Sequence, residues 1–474
     1  MSLIDALLLD PPRIDVWVTV RSGGSAGILG TGTQNDPFTV LANTPADFDA
    51  LWATSPTTRI SNNSCVHLGP GVFQTTGYYD GISGGWQLRP GIRIVGSGID
   101  VTTIQLVNTT ASKNIYAVGH ALTTSADYCE VSSLTIDCNF SANSGASSFG
   151  AVRIMGNHSR VVQVKVKNWG SKQSSGNLGY VIGMLTGDGT NLSSAVTNCG
   201  IQDCIVIEPG STWTRHMTAL HVGFPEGNFT QVDGTSPYIR NCFVDGGRTT
   251  MTDGTPANYA RAMAMAWCKG GVVEGNQIQN IFQGGPFSTL GAVDITIRNN
   301  TYRNVAAGPN FQMAAPGGGV YAVKSLLIEN NVIELTPVDV KPTGISDRYA
   351  LGVITYNNNS GVPYGNVIVR NNKIGYLNGQ TPGNQKGSGA MLIGVNNLLV
   401  RENVLDLNPT PPSPALPGLT NLSNKACVSV QYFENRAPAG KLVQGFKEEN
   451  NSLYTELATD ADDGFILSLL RHRA

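Results

Sequence analysis

The sequence predicts an all-β solenoid of parallel strands, and three observations carry that reading. First, a short phrase of the form apolar-x-(Ile/Val)-x-x-(Asn/Cys)-x-apolar recurs along the chain, as in Ile295-Thr-Ile-Arg-Asn-Asn-Thr-Tyr302 and Leu326-Leu-Ile-Glu-Asn-Asn-Val-Ile333. Its turn position falls at 139, 169, 204, 242, 276, 300, 331, 372 and 403, at intervals of 24 to 41 residues. A fixed phrase at variable spacing means a constant structural rung with loops of different length. Second, the residues three places before these positions are Ile136, Val166, Ile201, Ile239, Val273, Ile297, Ile328, Val369 and Val400, all β-branched. Such side chains suit strands and, stacked about 4.8 Å apart, fill a narrow core. Third, the phrase alternates with period two, which excludes the helical repeats of similar length.

Composition agrees. Of 474 residues 41% are hydrophobic, 56 are Gly, and only 14% are charged, so Asn, Ser, Thr and Gly must cover the surface. A net charge of −2 gives no footprint for nucleic acid. No run of 18 apolar residues is present, so no membrane insertion is expected. The start, Met1-Ser2-Leu3-Ile4-Asp5, lacks the features of a secretory signal, which favours a virion, an appendage or a non-Sec extracellular location. Eight cysteines, at 65, 129, 138, 199, 204, 242, 268 and 427, include no CxxC pair, and most of them read as buried apolar side chains. No cofactor or metal site is expected.

The Asn turn positions (139, 276, 300, 331, 372, 403) suit the left-handed backbone of a tight bend, and stacked amides can hydrogen-bond along the column. This pattern resembles the right-handed single-stranded parallel β-helix of the pectin-lyase-like superfamily, with about ten or more coils and short capping helices. The likeness covers about residues 55–450. It implies an Asn-bearing turn between the second and third strands of each coil. It does not imply one activity, because that fold carries lyases, hydrolases, tailspikes, adhesins and shafts.

The expected organisation is an N-terminal arm or linker over 1–40, a cap with the first coils over 41–110, the β-helix over 111–450, and a C-terminal capping or docking segment over 451–474. Within the arm, Ile14–Val20 alternates like a strand; an attachment arm and an N-terminal cover strand are both compatible with it. Thr44-Pro45-Ala46-Asp47 reads as an N-cap, a first-turn proline and an acidic first turn. Phe48, Leu51 and Trp52 then lie on one face and plug the first coil. Gly464–Leu470, followed by Arg471, His472 and Arg473, reads as a second helix.

In enzymes of this fold the substrate lies along the first strand of successive coils. Those strands are placed at 114–121, 151–156, 180–186, 218–224, 262–268, 319–323, 350–356, 390–395 and 427–433. They contain no Asp, Glu or Lys and one Arg, Arg153. Apolar on both faces, they must be covered, by their own loops or by another subunit. The Asn-Thr-Asp, Gly-His-Gly and Arg-Ile-Lys motifs of the hydrolases are absent, and the one Asp-Asp, Asp462-Asp463, lies in the C-terminal segment. Gly23-Gly-Ser25-Ala-Gly27 matches Gly-x-Ser-x-Gly but has no strand–turn–helix around it. His216 and His221 lack an acidic partner in metal-ligand spacing. The column Asp137, Lys167, Gln202, Arg240, Glu274, Arg298, Glu329, Arg370 and Arg401 reads as a solvated, salt-bridged face.

These readings favour a structural or receptor-binding appendage subunit similar to a tailspike or fibre, assembled as a homo-oligomer, a trimer by that resemblance. The interface would be on the first-strand face, through Met184, Met263, Met265, Trp267, Met391 and Ile393. The alternative is a polysaccharide lyase or glycoside hydrolase with loop-borne groups. Asp245, Arg248 and Asp253 are its candidates, because this loop holds two carboxylates and an arginine within nine residues. Asp347-Arg348 is a further polar pair at a loop base. A third reading is carbohydrate binding through the loop aromatics Trp213, Tyr259 and Phe287.

Overall fold

The computed structural model describes residues 13–53, 58–79, 84–107, 114–120, 125–143, 147–172, 179–185, 196–210, 217–223, 234–247, 261–266, 268–288, 292–314, 325–336, 348–356, 364–377, 387–393, 395–401, 403–406, 428–431, 447–449 and 452–454. The chain divides into an N-terminal unit (Met1–Glu226 with Pro237–Phe243) and a C-terminal unit (Gly227–Ser236 with Val244–Ala474). Each is a parallel β-helix built of stacked rungs in three sheets. Among the described residues no helix is long and apolar enough to cross a membrane.

In the N-terminal unit one core column belongs to the second sheet: Val16, Val66, Ile94, Val131, Val161, Ile201 and Ile239 pair in register on successive strands. All are β-branched and buried. The third sheet stacks Phe73, Ile104, Ile136, Val166 and Val206. The first sheet stacks Val118, Val152, Ile182 and Leu220. Like shapes lying on like shapes fill this core without voids.

The single column expected from sequence therefore resolves into two. Ile136 and Val166 stand one strand later than Ile201 and Ile239, because the phrases ending at Asn139 and Asn168 mark the next corner. Both corners need a left-handed residue and so draw similar sequences. At the earlier corner that residue is Ser133, Gln163, Asp203 and Asn241, with φ of 55°, 54°, 52° and 51°. Leu134, Val164, Cys204 and Cys242 follow it into the core.

The strand Ile14–Arg21 is not part of a separate arm. It forms the first rung, pairing in parallel with Ser64–Leu68 and with Phe38–Leu41. The helix α1, Pro45–Leu51, stands where the proline and the acidic first turn place it. Thr44 makes no side-chain cap bond. Asp47 does other work: its carboxylate accepts the Gly27 amide at 2.9 Å and the Leu41 amide at 3.2 Å. Phe48 and Trp52 pack with Phe73 and Trp86, Trp52 stacking on Trp86 at 4.4 Å, and this aromatic plug closes the open end of the core. The expected helix over Gly464–Leu470 and Asp462-Asp463 lie outside the described residues.

In the C-terminal unit the β-branched column is Val273, Ile297, Ile328, Val369 and Val400, rung by rung. The third sheet aligns Ile278, Tyr302, Ile333, Ile374, Leu405 and Leu453. In the first sheet the backbone register runs Ala264, Phe287, Asn310, Gly352, Met391 and Ser429. This register uses Asn310–Ala314 as the rung before Arg348–Tyr356; residues 319–323, expected as a first strand, lie outside the described residues.

The left-handed residue at the corner is Gly275, Asn299, Asn330 or Asn371, and the buried Asn follows it. Asn276 donates its backbone and side-chain N–H to Asn300 Oδ1 at 3.0 and 2.9 Å. The same pair of bonds links Asn300 to Asn331, Asn331 to Asn372 and Asn372 to Asn403, all at 2.9–3.1 Å. Asn276, Asn300, Asn331 and Asn372 are thus amide links, and the bend is made by the residue before each of them, whereas Asn139 of the N-terminal unit takes the left-handed conformation itself.

Candidate functional site

The first sheet of the N-terminal unit is where side chains of chemical interest converge. Its strands are Asn114–Gly119, Ser148–Met155, Gly179–Leu185 and Met217–Gly223, and every residue in them is buried. One register column reads Gly119, Arg153, Gly183, His221. The Arg153 guanidinium lies over the rings of Tyr78 and Tyr116, 5.0 and 4.9 Å from their centroids. Its Nη2 donates to the His120 carbonyl at 3.2 Å. His221 stacks on Tyr180 at 4.1 Å.

Glycine makes room for these rings. A Cβ on Gly119 would stand 2.6 Å from the Tyr78 Cβ, and one on Gly150 would stand 2.9 Å from the Tyr116 ring. The solitary arginine of the apolar first strands is thus held by cation–π contact in a sealed layer. Burial, and then the nearby Arg153 charge, pushes the His120 imidazole down to about 4, so it is neutral at physiological pH. A neutral imidazole beside a guanidinium and phenols is equipment for proton transfer. Here it is sealed: Arg153, His120 and His221 are 2–3% exposed. The two strategically placed carboxylates that glycoside hydrolysis requires are not on these strands.

The other candidates distribute as follows. Asp245 is half-buried and both its oxygens are engaged: Oδ1 accepts from the Gly247 amide at 2.7 Å and Asn280 Nδ2 at 3.1 Å, and Oδ2 from Gln279 Nε2 at 2.7 Å. These bonds brace a turn against the next rung. Arg248, Asp253, Trp213, Tyr259, Trp267, His216 and Asp347 lie outside the described residues, and Phe287, Arg348, Met391 and Ile393 are described in backbone only. Met184, Met263 and Met265 are fully buried within the chain, where a second subunit cannot touch them. Of the two ways of covering the first sheet, the N-terminal unit uses its own chain. The tyrosine that shares this cover, Tyr78, comes from far upstream; the lone Arg153 in an apolar strand was the one sequence signal for it.

No known family's sequence profile matches the chain, and no curated protein matches it. The chain is similar in structure to a DFA-IIIase from Arthrobacter chlorophenolicus A6 in complex with DFA-III, at 12% identity and a TM-score of 0.48, over 92% of this chain and 98% of that one. It is similar to polygalacturonase from Erwinia carotovora, at 9% identity and a TM-score of 0.44, over 94% and 98%. It is similar also to the Dettilon tailspike protein, at 10% identity and a TM-score of 0.48, over 83% of this chain and 62% of that one. The fold assignment itself stands on the strand register above.

Proposed function

We propose that this chain is a structural or receptor-binding subunit of an extracellular appendage, of tailspike or fibre type, and not an enzyme working from its first sheet. One observation supports this reading above the others. The four first-sheet strands of the N-terminal unit are buried in full, carry no carboxylate, and use their one arginine to hold a tyrosine cover. An exposed polar groove with paired acids is what cleavage would ask for. Receptor binding, on this reading, is carried by aromatics, with Trp213, Tyr259 and Phe287 the first to test, although Phe287 stands on a first-sheet strand and not in a loop; its ligand class is a surface polysaccharide.

The test is to incubate the full chain with neutral and acidic polysaccharides, following new reducing ends and the ultraviolet absorbance of unsaturated uronates. No cleavage is expected, and retention of one or more glycans on the protein is. Cleavage that disappears in Asp245→Ala, while the unfolding midpoint of that variant stays at the parent value, would establish the lyase or hydrolase reading instead.

A further inference from the structure

A second cluster sits on the first two rungs of the N-terminal unit, outside the aromatic cover. Period two turns Val16 and Val18 inward on Ile14–Arg21 and leaves Asp15 and Trp17 on the opposite face. On Ser64–Leu68 the same alternation leaves Cys65 and His67 there. The register pairs Asp15 with Cys65 and Trp17 with His67, so the four side chains form one small patch. The Trp17 and His67 rings stack at 4.2 Å and 16°, which fixes the plane of the imidazole. His67 Nε2 lies 2.8 Å from Asp15 Oδ1. A carboxylate oxygen of Asp15, the Cys65 sulfur and a ring nitrogen of His67 all lie within 4.8 Å of one another. Every other cysteine among the described residues is buried.

We propose that Asp15, Cys65 and His67 are a three-ligand site for a divalent transition metal, zinc by its donor set, with a fourth position open to solvent. One sulfur, one nitrogen and one oxygen suit a borderline-soft ion and exclude calcium or magnesium, which take oxygen ligands. Tetrahedral zinc with bonds of about 2.0–2.3 Å holds its ligand atoms roughly 3.3–3.7 Å apart. The Asp15–His67 separation must therefore open by only about half an ångström. Asp15 can supply that movement, because its side chain is 65% exposed.

The surrounding charge permits a dication. Arg93 is the in-register neighbour of Cys65 on the far side, and it faces Glu130, which also binds Arg160 at 2.7 Å. Arg13 is the other cation acting on the thiol. A thiolate and the Asp15 carboxylate together neutralise the metal. A cysteine binds a metal as the thiolate, so its proton leaves to solvent on binding. The site would clip the first rung to the second. This inference does not rest on the appendage reading.

The experiment uses the full chain, stripped with a chelator and titrated with cobalt(II). The expected result is one equivalent bound, with a thiolate-to-cobalt charge-transfer band and the visible bands of a tetrahedral ion, both bleached by one equivalent of zinc(II). Cys65→Ser is expected to abolish the charge-transfer band, and His67→Gln or Asp15→Asn to weaken cobalt binding at least tenfold, each with an unchanged circular dichroism spectrum. Absence of the band in the parent chain, or its survival in Cys65→Ser, overturns the proposal.

Discussion

His120 shows what burial does to a single titratable group in this molecule. In the unfolded chain an imidazole titrates near 6.5; in the native state burial holds His120 at about 4. A lowered histidine means the unfolded state binds the proton first. Stability is therefore flat above the unfolded value and falls as pH drops from about 6.5 toward 4, by an amount on the order of 3 kcal/mol. Urea midpoints measured across that interval are expected to decline, and His120→Gln to flatten the decline, whatever it does to the midpoint at neutral pH. An unchanged slope in His120→Gln would place the acid sensitivity elsewhere. Asp47 and Asp245 show a complementary effect: Asp47 stands in the first turn of the helix as expected, and both carboxylates accept backbone or amide N–H groups that a corner would otherwise leave unsatisfied.

At the scale of the element, the corner of each coil decides both stability and legibility. Asn331 accepts two N–H groups of Asn300 and donates to Asn372 Oδ1, Ile297 O and Glu329 O, all of them buried. Asn331→Ala strands several of these partners, and at about 1–3 kcal/mol for each unsatisfied buried group a loss on the order of 4 kcal/mol is expected in urea unfolding. Cys242→Ala, at the same corner of the N-terminal unit, removes one buried sulfur and no amide link, and about 1 kcal/mol is expected. Near-equal losses would show that the amides contribute only volume. The same corner explains what could be read in advance. Stacking demands like residues at like positions, so the β-branched columns and the Asn positions at 276, 300, 331, 372 and 403 stood out. Two corners per coil both need a left-handed residue, so period and composition could not tell Asn139 and Asn168 from the earlier corner; only pairing does. The Asp15–Cys65–His67 cluster left no trace in spacing, because ligands on successive rungs are joined by a whole coil of intervening chain.

For the molecule as a whole, an apolar first strand can serve as core or as interface. A strand apolar on both faces says that both are covered and is silent about the covering group. Burial of Met184, Met263 and Met265 within one chain makes these methionines core. The two roles differ in their dependence on concentration. Deleting a core side chain lowers the unfolding midpoint equally at every protein concentration, whereas weakening an interface makes the midpoint fall on dilution. Met184→Ala is expected to cost about 3 kcal/mol. That loss should be the same at low and high protein concentration, and the solution mass by light scattering behind a sizing column should match that of the parent chain. A variant that loses assembled mass and whose midpoint falls on dilution would put the methionine back at a subunit contact and restore the trimer as the reason for these strands. The concentration series separates the two, because only association carries protein concentration in its equilibrium constant.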